Sequence, residues 1–273
     1  RVLCRLSPFL TAIFSNSPLH LGKPSGYKSF RSHIWQNTDG TRSGIPGAFI
    51  RKDFTIEDYI DWALLASPYH LNRQGEIHEL MDHSFRNLMD GSYPQIKTDF
   101  EDWKDHLGML FPEIRIKNII EIRSIDTLNP EYVLAVPALL QALIYDETVF
   151  GKLESMMMDL PENEFPWYQQ VAARDGLAGQ VNQVNFSHFA KKLMEMALES
   201  LTLSEGCRLA LFFDRYTRHG LSPADLVLER FYSADENPLK WIHKELQSDE
   251  EKQSSFINFP CDVDENPTSW VSH

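Results

Sequence analysis

Acidic and basic side chains recur at every second position in the stretch Phe111 to Asp126, FPEIRIKNIIEIRSID. On an extended chain Glu113, Arg115, Lys117, Glu121 and Arg123 share one side, and Ile114, Ile116, Ile120 and Ile122 share the other. The β-branched residues favour a strand over a helix. An apolar underside beneath alternating carboxylates and guanidiniums can serve as the floor of a charged-ligand site. It can equally be an exposed strand with a solvated outer face, since antiparallel sheets often alternate apolar-in with polar-out. Carboxylate oxygens suit Mg²⁺ and guanidiniums suit phosphate oxygens. A carboxylate pair alone would suggest glycosidase-type acid–base work, whereas arginines on both sides suggest neutralisation of a transferring phosphoryl group. The phosphate loops GxxxxGK[ST] and GxGxxG are absent, as is the nucleophile elbow GxSxG. Any nucleotide is therefore expected to be held by side chains and metal on a sheet.

The rest of the chain bounds this chemistry. Its 273 residues can bury a sizeable core, and the 42% hydrophobic and 24% charged content is that of a globular protein. A formal net charge of -13 argues against a general nucleic-acid or anionic-membrane binder. An anionic substrate must then be met by local cations. Cys4, Cys207 and Cys261 lie far apart with no CxxC, which argues against a thiolate zinc site and against a disulfide framework. With no apolar run of the roughly 20 residues that span a bilayer and no opening signal segment, the expected setting is cytoplasmic. The chain opens at Arg1 without a methionine, and a fragment is expected.

In chain order, the apolar run Ser7–Asn16 is the end of a helix or a buried strand. Leu21 to Gly44 is rich in Gly, Pro, Ser and Asn and reads as loop, short strand and loop, with Arg31, His33 and Trp35 at alternate positions. Thr55 caps a helix that Pro68 ends; Tyr69–Ile77 reads as a hairpin; Ser84–Met89 is a short helix; Asp99 caps a helix over Phe100–Leu110. His70, His78, His83 and His106 show no ligand spacing. Two helices are expected within Pro130–Leu160, with the Met156–Met158 run as packing. Phe165–Val184 reads as irregular. Helices follow over Ser187–Leu201, Glu205–Arg218, Pro223–Tyr232 and Pro238–Leu246, then a mobile tail, Ser248–His273. The architecture is α+β: an antiparallel sheet with a charged ligand-binding face in the first half, backed by a helical second half. The expected division is a partial catalytic domain over 1–233, strand-rich over 1–127 and helical over 128–233, with a polar tail over 234–273.

FSNSPLHLGKPSGYKSFRSHIWQNTDGTRSG together with FPEIRIKNIIEIRSID resembles the glutamate–cysteine ligase family, in the branch shared by plants and many bacteria. The likeness runs from about Ser7 to about Tyr145 and more weakly to about Phe231. Glu121, Arg123 and Asp126 also form a Glu-x-Arg-x-x-Asp pattern similar to one in glutamine synthetases, whose fold the family shares. The resemblance implies ATP-dependent joining of the γ-carboxylate of glutamate to the amine of cysteine through a γ-glutamyl phosphate, with Mg²⁺ bridging the phosphates. It implies Glu121 as a metal ligand, with Glu113 as a further or supporting carboxylate. Arg123 and Arg115 would contact the transferring phosphoryl group or the nucleotide, beside Lys117. Arg31 would hold a carboxylate of glutamate, and His33, Trp35 and Arg42 would line the substrate pocket.

Arg42-Ser43-Gly44-Ile45-Pro46-Gly47 departs from the family's apolar, Phe-containing segment. Family members also carry metal-binding carboxylates on strands that precede anything in this chain. The expectation is that the polypeptide alone has no ligase activity and that it aggregates or binds a complementary piece, the N-terminal part of the same domain. A carboxylate–amine ligase with another acceptor amine, and a non-catalytic nucleotide- or amino-acid-binding module, stay open.

Overall fold

The computed structural model describes residues 1–233 apart from 74, 81–82 and 93–95, so the expected helix over Pro238–Leu246 and the tail beyond it lie outside the described residues. Helix α1 (Val2–Ile13) settles the open reading of the first apolar run as helix. Strands β1 (Leu19–His20) and β2 (Lys23–Pro24) form a small ladder. Then comes α2 (Phe30–Gln36), where a short strand was expected. The serine hydroxyls at its start account for the difference. Ser29 Oγ accepts from Ser32 N–H at 3.1 Å and Ser17 Oγ accepts from Arg31 N–H at 3.1 Å, satisfying donors that a helix leaves open at its first turn.

After β3 (Ser43–Gly44), α3 (Ile56–Leu65) starts in a capping box in which Thr55 and Asp58 bond each other's backbone N–H. The expected hairpin forms as β4 (His70–Arg73) with β5 (Glu76–Glu79). Helices α4 (Phe85–Met89) and α5 (Phe100–Gly108) start at Ser84 and Asp99 as expected. Beyond α5 the charged stretch is not one strand. It divides into β6 (Phe111–Pro112), which runs parallel to β3, and the antiparallel hairpin of β7 (Ile114–Ile116) and β8 (Ile120–Ile122).

The helical half holds α6 (Ala135–Tyr145), α7 (Glu147–Met158) and α8 (Phe165–Asp175). Helix α8 lies where an irregular segment was expected. Its paired glutamines, Gln169 and Gln170, obscured the buried series Phe165, Tyr168 and Val171–Ala173, and Pro166 falls in the first turn, where its missing N–H has no partner to lose. The ladder of β9 (Gln180–Val181) with β10 (Val184–Asn185) leads into α9 (Phe186–Ser200), α10 (Leu203–Arg215) and α11 (Pro223–Ser233). The chain is thus α+β. Its strands, among the described residues, form five two-stranded ladders rather than one broad sheet.

Two compact units divide these elements: Arg1–Ser7 with Ile34–Ser124, and Pro8–His33 with Ile125 onward. Residues 8–33 group with the helical second half of the chain. In the first unit Ile114 of β7 is buried with Cys4, Phe49 and Tyr59, and Ile116 and Ile122 pack against them. Truncating Ile114 to alanine should cost about 2–5 kcal/mol through lost burial and the cavity left behind. In the second unit α6 packs against α9 and α10, and Phe9 stacks on Phe189 with ring centroids 4.1 Å apart. Met157 is fully buried in α7, which makes the methionine run a packing feature. No helix among the described residues is long and apolar enough to cross a membrane.

Candidate functional site

The β7–β8 hairpin sets Arg115 directly opposite Glu121, Ile114 opposite Ile122 and Ile116 opposite Ile120. Each pair sums to an even residue number, so folding the stretch back on itself preserves the odd/even faces. Arg115 and Glu121 thereby share one side of the hairpin although the stretch is not one continuous strand. Ile120 is the exception on the apolar side: near the turn it has passed the edge of the core and is 58% exposed.

Three contacts converge on one oxygen of Glu121. Arg115 Nε donates to Oε2 at 2.7 Å, Arg115 Nη2 lies 2.5 Å from the same atom, and Arg123 Nη1 lies 3.8 Å from it. Arg115 Nη1 also donates to the carbonyls of Gly108 and Leu110 at 3.1 and 3.0 Å, where α5 ends. A guanidinium has five N–H donors, so Arg115 commits most of them to holding Glu121 against the helix end. Its geometry is that of a clamp. Arg123 is placed differently, with its Cζ 5.5 Å from the ring centroid of Phe111 and 5.8 Å from that of Trp35, two rings themselves 5.5 Å apart. These distances are within cation–π range. Beneath the hairpin the buried Tyr59 hydroxyl accepts from Ile116 N–H at 3.0 Å and donates to Ile116 C=O at 3.2 Å, and burial raises its pKa.

The remaining predicted residues of this unit are dispersed. Glu113 is buried, and its backbone bonds Gly44 and Arg123. Lys117 sits exposed in the hairpin turn, where its N–H bonds Ile119 C=O at 2.9 Å. Arg42 is 4% exposed, donates from Nε to Asp39 at 2.7 Å and stacks over the Tyr69 ring at 3.8 Å. The Thr41 hydroxyl, with the Arg42 guanidinium, holds the Asp39 carboxyl below its usual range.

In the second unit, Arg31 and His33 are on a helix, not a strand. Residues two apart on a helix are separated by about 200°, so these side chains diverge instead of aligning. His33 stacks on Tyr27 at 3.9 Å, whereas Arg31 Nη1 lies 4.0 Å from Asp126 Oδ1. Asp126 is buried and accepts from Asn16 N–H at 2.9 Å, Ser17 Oγ at 2.7 Å and Ser29 Oγ at 2.8 Å. Sequence reasoning noted Asp126 only as the last member of Glu-x-Arg-x-x-Asp and assigned nothing to Phe111. The first had a signal in that pattern; the second had none beyond being an aromatic at the head of the charged stretch.

The donor set sets limits on a metal. Among the described residues no group of three or more His, Cys, Asp and Glu side chains could hold an ion. Glu121 can offer one oxygen, because its contacts among the described residues fall on Oε2 and leave Oε1. Mg²⁺ commonly takes only one or two carboxylates besides phosphate oxygens and water, so Glu121 fits as a single ligand. Buried Glu113 does not present itself for that role. Cys4 is a free, buried thiol whose pKa burial pushes up to about 12, leaving it protonated and inert. Cys207 is disulfide-bonded, although the spacing of the three cysteines had argued against a disulfide framework.

Residues 1–253 match the model of glutamate-cysteine ligase family 2. Curated relatives include the chloroplastic glutamate–cysteine ligases of Nicotiana tabacum, 32% identical over 83% of this chain and 44% of that protein, and of Solanum lycopersicum, 31% identical over 88% and 47%. The chloroplastic glutamate–cysteine ligase A of Oryza sativa subsp. indica is 30% identical over 88% of this chain and 50% of its own length. The chain spans about half the length of the curated relatives it matches. These relatives are named as chloroplastic, which overturns the cytoplasmic expectation drawn from cysteine usage and the missing apolar segments.

Proposed function

Because the chain belongs to glutamate-cysteine ligase family 2, we propose that its protein joins the γ-carboxylate of glutamate to the amine of cysteine, driven by ATP. The observation that carries this reading is the Glu121 carboxylate held through one oxygen by Arg115 and approached by Arg123, acid and guanidinium on one hairpin face. A carboxylate oxygen of glutamate attacks the γ-phosphorus of ATP, expelling ADP and forming an acyl phosphate. The cysteine amine then attacks the acyl carbon, and inorganic phosphate leaves with the amide formed. Both steps place negative charge on phosphate oxygens, which a preorganised guanidinium stabilises without reorganising.

Arg123, set against the rings of Phe111 and Trp35 and 3.8 Å from Glu121 Oε2, is the residue proposed to take that part. Arg115 holds Glu121 in place, and Lys117 adds a cation at the turn of the same hairpin. Oε1 of Glu121 would be a ligand for Mg²⁺, which when bound supplies further charge neutralisation at phosphate oxygens. In the second unit Arg31, a third exposed, is the residue proposed to hold a carboxylate of glutamate through its planar fork. The compartment this reading carries is the plastid, from the names of the relatives.

The test is phosphate release by the intact protein with glutamate, cysteine, ATP and Mg²⁺, with hydroxylamine in place of cysteine to trap the acyl phosphate. ADP and glutamyl hydroxamate should form only when glutamate is present, and Arg123→Ala should slow both. ATP binding that is indifferent to Mg²⁺, with no hydroxamate, would favour a non-catalytic nucleotide-binding module instead.

A further inference from the structure

Strands β7 and β8 are three residues each, and a two-stranded hairpin of that size is marginal unless something covers it. Its cross-hairpin bonds engage odd-numbered residues of the first arm: Lys117 N–H donates to Ile119 C=O, and Glu113 C=O accepts from Arg123 N–H, both at 2.9 Å. Peptide groups of successive residues in a strand face opposite ways, so those of Ile116 face outward, away from β8. There they meet Tyr59, whose hydroxyl accepts from Ile116 N–H at 3.0 Å and donates to Ile116 C=O at 3.2 Å. One side chain thus makes the pair of bonds that a third strand would make. It comes from α3, one turn beyond the Thr55 cap, and its ring lies 5.3 Å from Phe49 and 5.6 Å from Trp62, centroid to centroid. Burial raises the pKa of the hydroxyl, so it keeps the proton it donates.

We propose that Tyr59 is a positioning residue for Glu121: by standing in for a strand at Ile116, its hydroxyl fixes the hairpin on α3 and with it the place at which the carboxylate meets the nucleotide. The proposal rests on the reading that Glu121 serves ATP. Ile116 adjoins Arg115, and Arg115 stands directly opposite Glu121 and grips it through Nε at 2.7 Å, so a shift at the Ile116 peptide passes to the carboxylate through one residue. Apolar packing thins toward the turn: Ile114 is buried, Ile116 half-buried, and Ile120, opposite Ile116, more than half exposed. A hydroxyl supplies direction there that apolar contact does not, since a hydrogen bond weakens as its angle closes. Glutamate is held in this reading by Arg31 of the second unit, so the effect falls on ATP.

The experiment uses the intact protein with Tyr59→Phe, Glu121→Gln and the double variant, and reads hydrogen exchange at single amides together with the KM values for ATP and glutamate. Tyr59→Phe keeps the ring and removes only the hydroxyl. It should speed exchange of the Ile116 amide at least about tenfold and leave the amides of α9 in the second unit unchanged, which separates a loosened hairpin from a loosened protein. It should raise the ATP KM about fivefold, as the loss of one or two neutral hydrogen bonds predicts, with the glutamate KM moving less than about twofold. In the Glu121→Gln background the same substitution should add little, because its effect passes through the carboxylate. Unchanged Ile116 exchange, an equal rise in both KM values, or effects that multiply in the double variant would each overturn the proposal. Faster exchange with an unmoved ATP KM, where Glu121→Gln does raise it, overturns the positioning role and leaves the reading of the site standing. If Glu121→Gln alone leaves the ATP KM unchanged, the assignment of Glu121 fails first and the proposal with it. Should Tyr59→Phe fail to fold, the parent protein still tests the contact: the Ile116 amide should exchange at least about tenfold more slowly than that of Ile120 opposite it, and equal rates count against the proposal.

Discussion

Replacing Arg115 by lysine keeps the positive charge and changes only the shape of the group that bears it. The arginine makes four contacts, two to Oε2 of Glu121 and two to the carbonyls of Gly108 and Leu110 where α5 ends. A lysine ammonium on a flexible stem cannot reach the carboxylate and both carbonyls from one position, so at least two contacts are lost. Hydrogen bonds to a charged group are each worth about 1.5–3 kcal/mol net. Arg115 is well buried, but Glu121 is a quarter exposed, so solvent screening favours the lower end of that range. The expected loss is about 2–3 kcal/mol, or roughly 5–10 °C in Tm for a chain of this size. Urea melts followed by tryptophan fluorescence measure it. Glu121→Gln, which leaves both carbonyl bonds in place, should cost about half as much. A lysine variant that melts within about 0.5 kcal/mol of the parent would show that the fork holds nothing and that the clamp argument is wrong.

Two further perturbations read other parts of the first unit. His106 is fully buried, with Nε2 2.7 Å from Ala63 C=O, and burial together with the charge of Arg42 holds its pKa below the ordinary histidine value of 6.5. The unfolded chain therefore takes up a proton near pH 6.5 that the folded chain refuses. The stabilisation is complete above that pH and is lost as pH falls toward the lower folded pKa, with a slope of at most about 1.4 kcal/mol per pH unit. Urea midpoints at pH 7.5 and 5.5 should differ less in His106→Gln than in the parent, and equal differences would remove His106 from the account. Phe111→Leu keeps an apolar side chain but removes the ring facing Arg123, and should raise the KM for ATP roughly threefold, as a lost cation–π contact of about 0.5–1 kcal/mol predicts. Phe111→Tyr should stay near the parent value; a leucine variant that matches it would mean that bulk, not the ring, is what Arg123 needs.

Much was legible in the residues themselves because it depends on short-range physics. The side-chain period of two put Arg115 and Glu121 on one face and Ile114, Ile116 and Ile122 on the other, and that sorting survives the turn between β7 and β8 because the hairpin register has even parity. Thr55, Ser84 and Asp99 announced their helices because a cap is a bond between residues three apart at most. Where the local signal was mixed, reading failed. Arg31, His33 and Trp35 at alternate positions look like a strand until Ser17 and Ser29 supply the donors' partners that start α2. Helix α8 hid behind its glutamines for the same reason, its buried face being defined by what packs against it.

The family could be recognised from two stretches of sequence, since those strings are long and idiosyncratic, but what each residue in them does depended on its partners in space. That Arg115 is a clamp while Arg123 lies against aromatic rings follows from carbonyls at the end of α5 and rings at Phe111 and Trp35, none of which a spacing rule connects. The bond from Asn16 to Asp126 joins residues 110 apart in the chain. Contacts of that kind are selected by how the folded backbone closes on itself, and only the tertiary structure decides which buried acid meets which arginine.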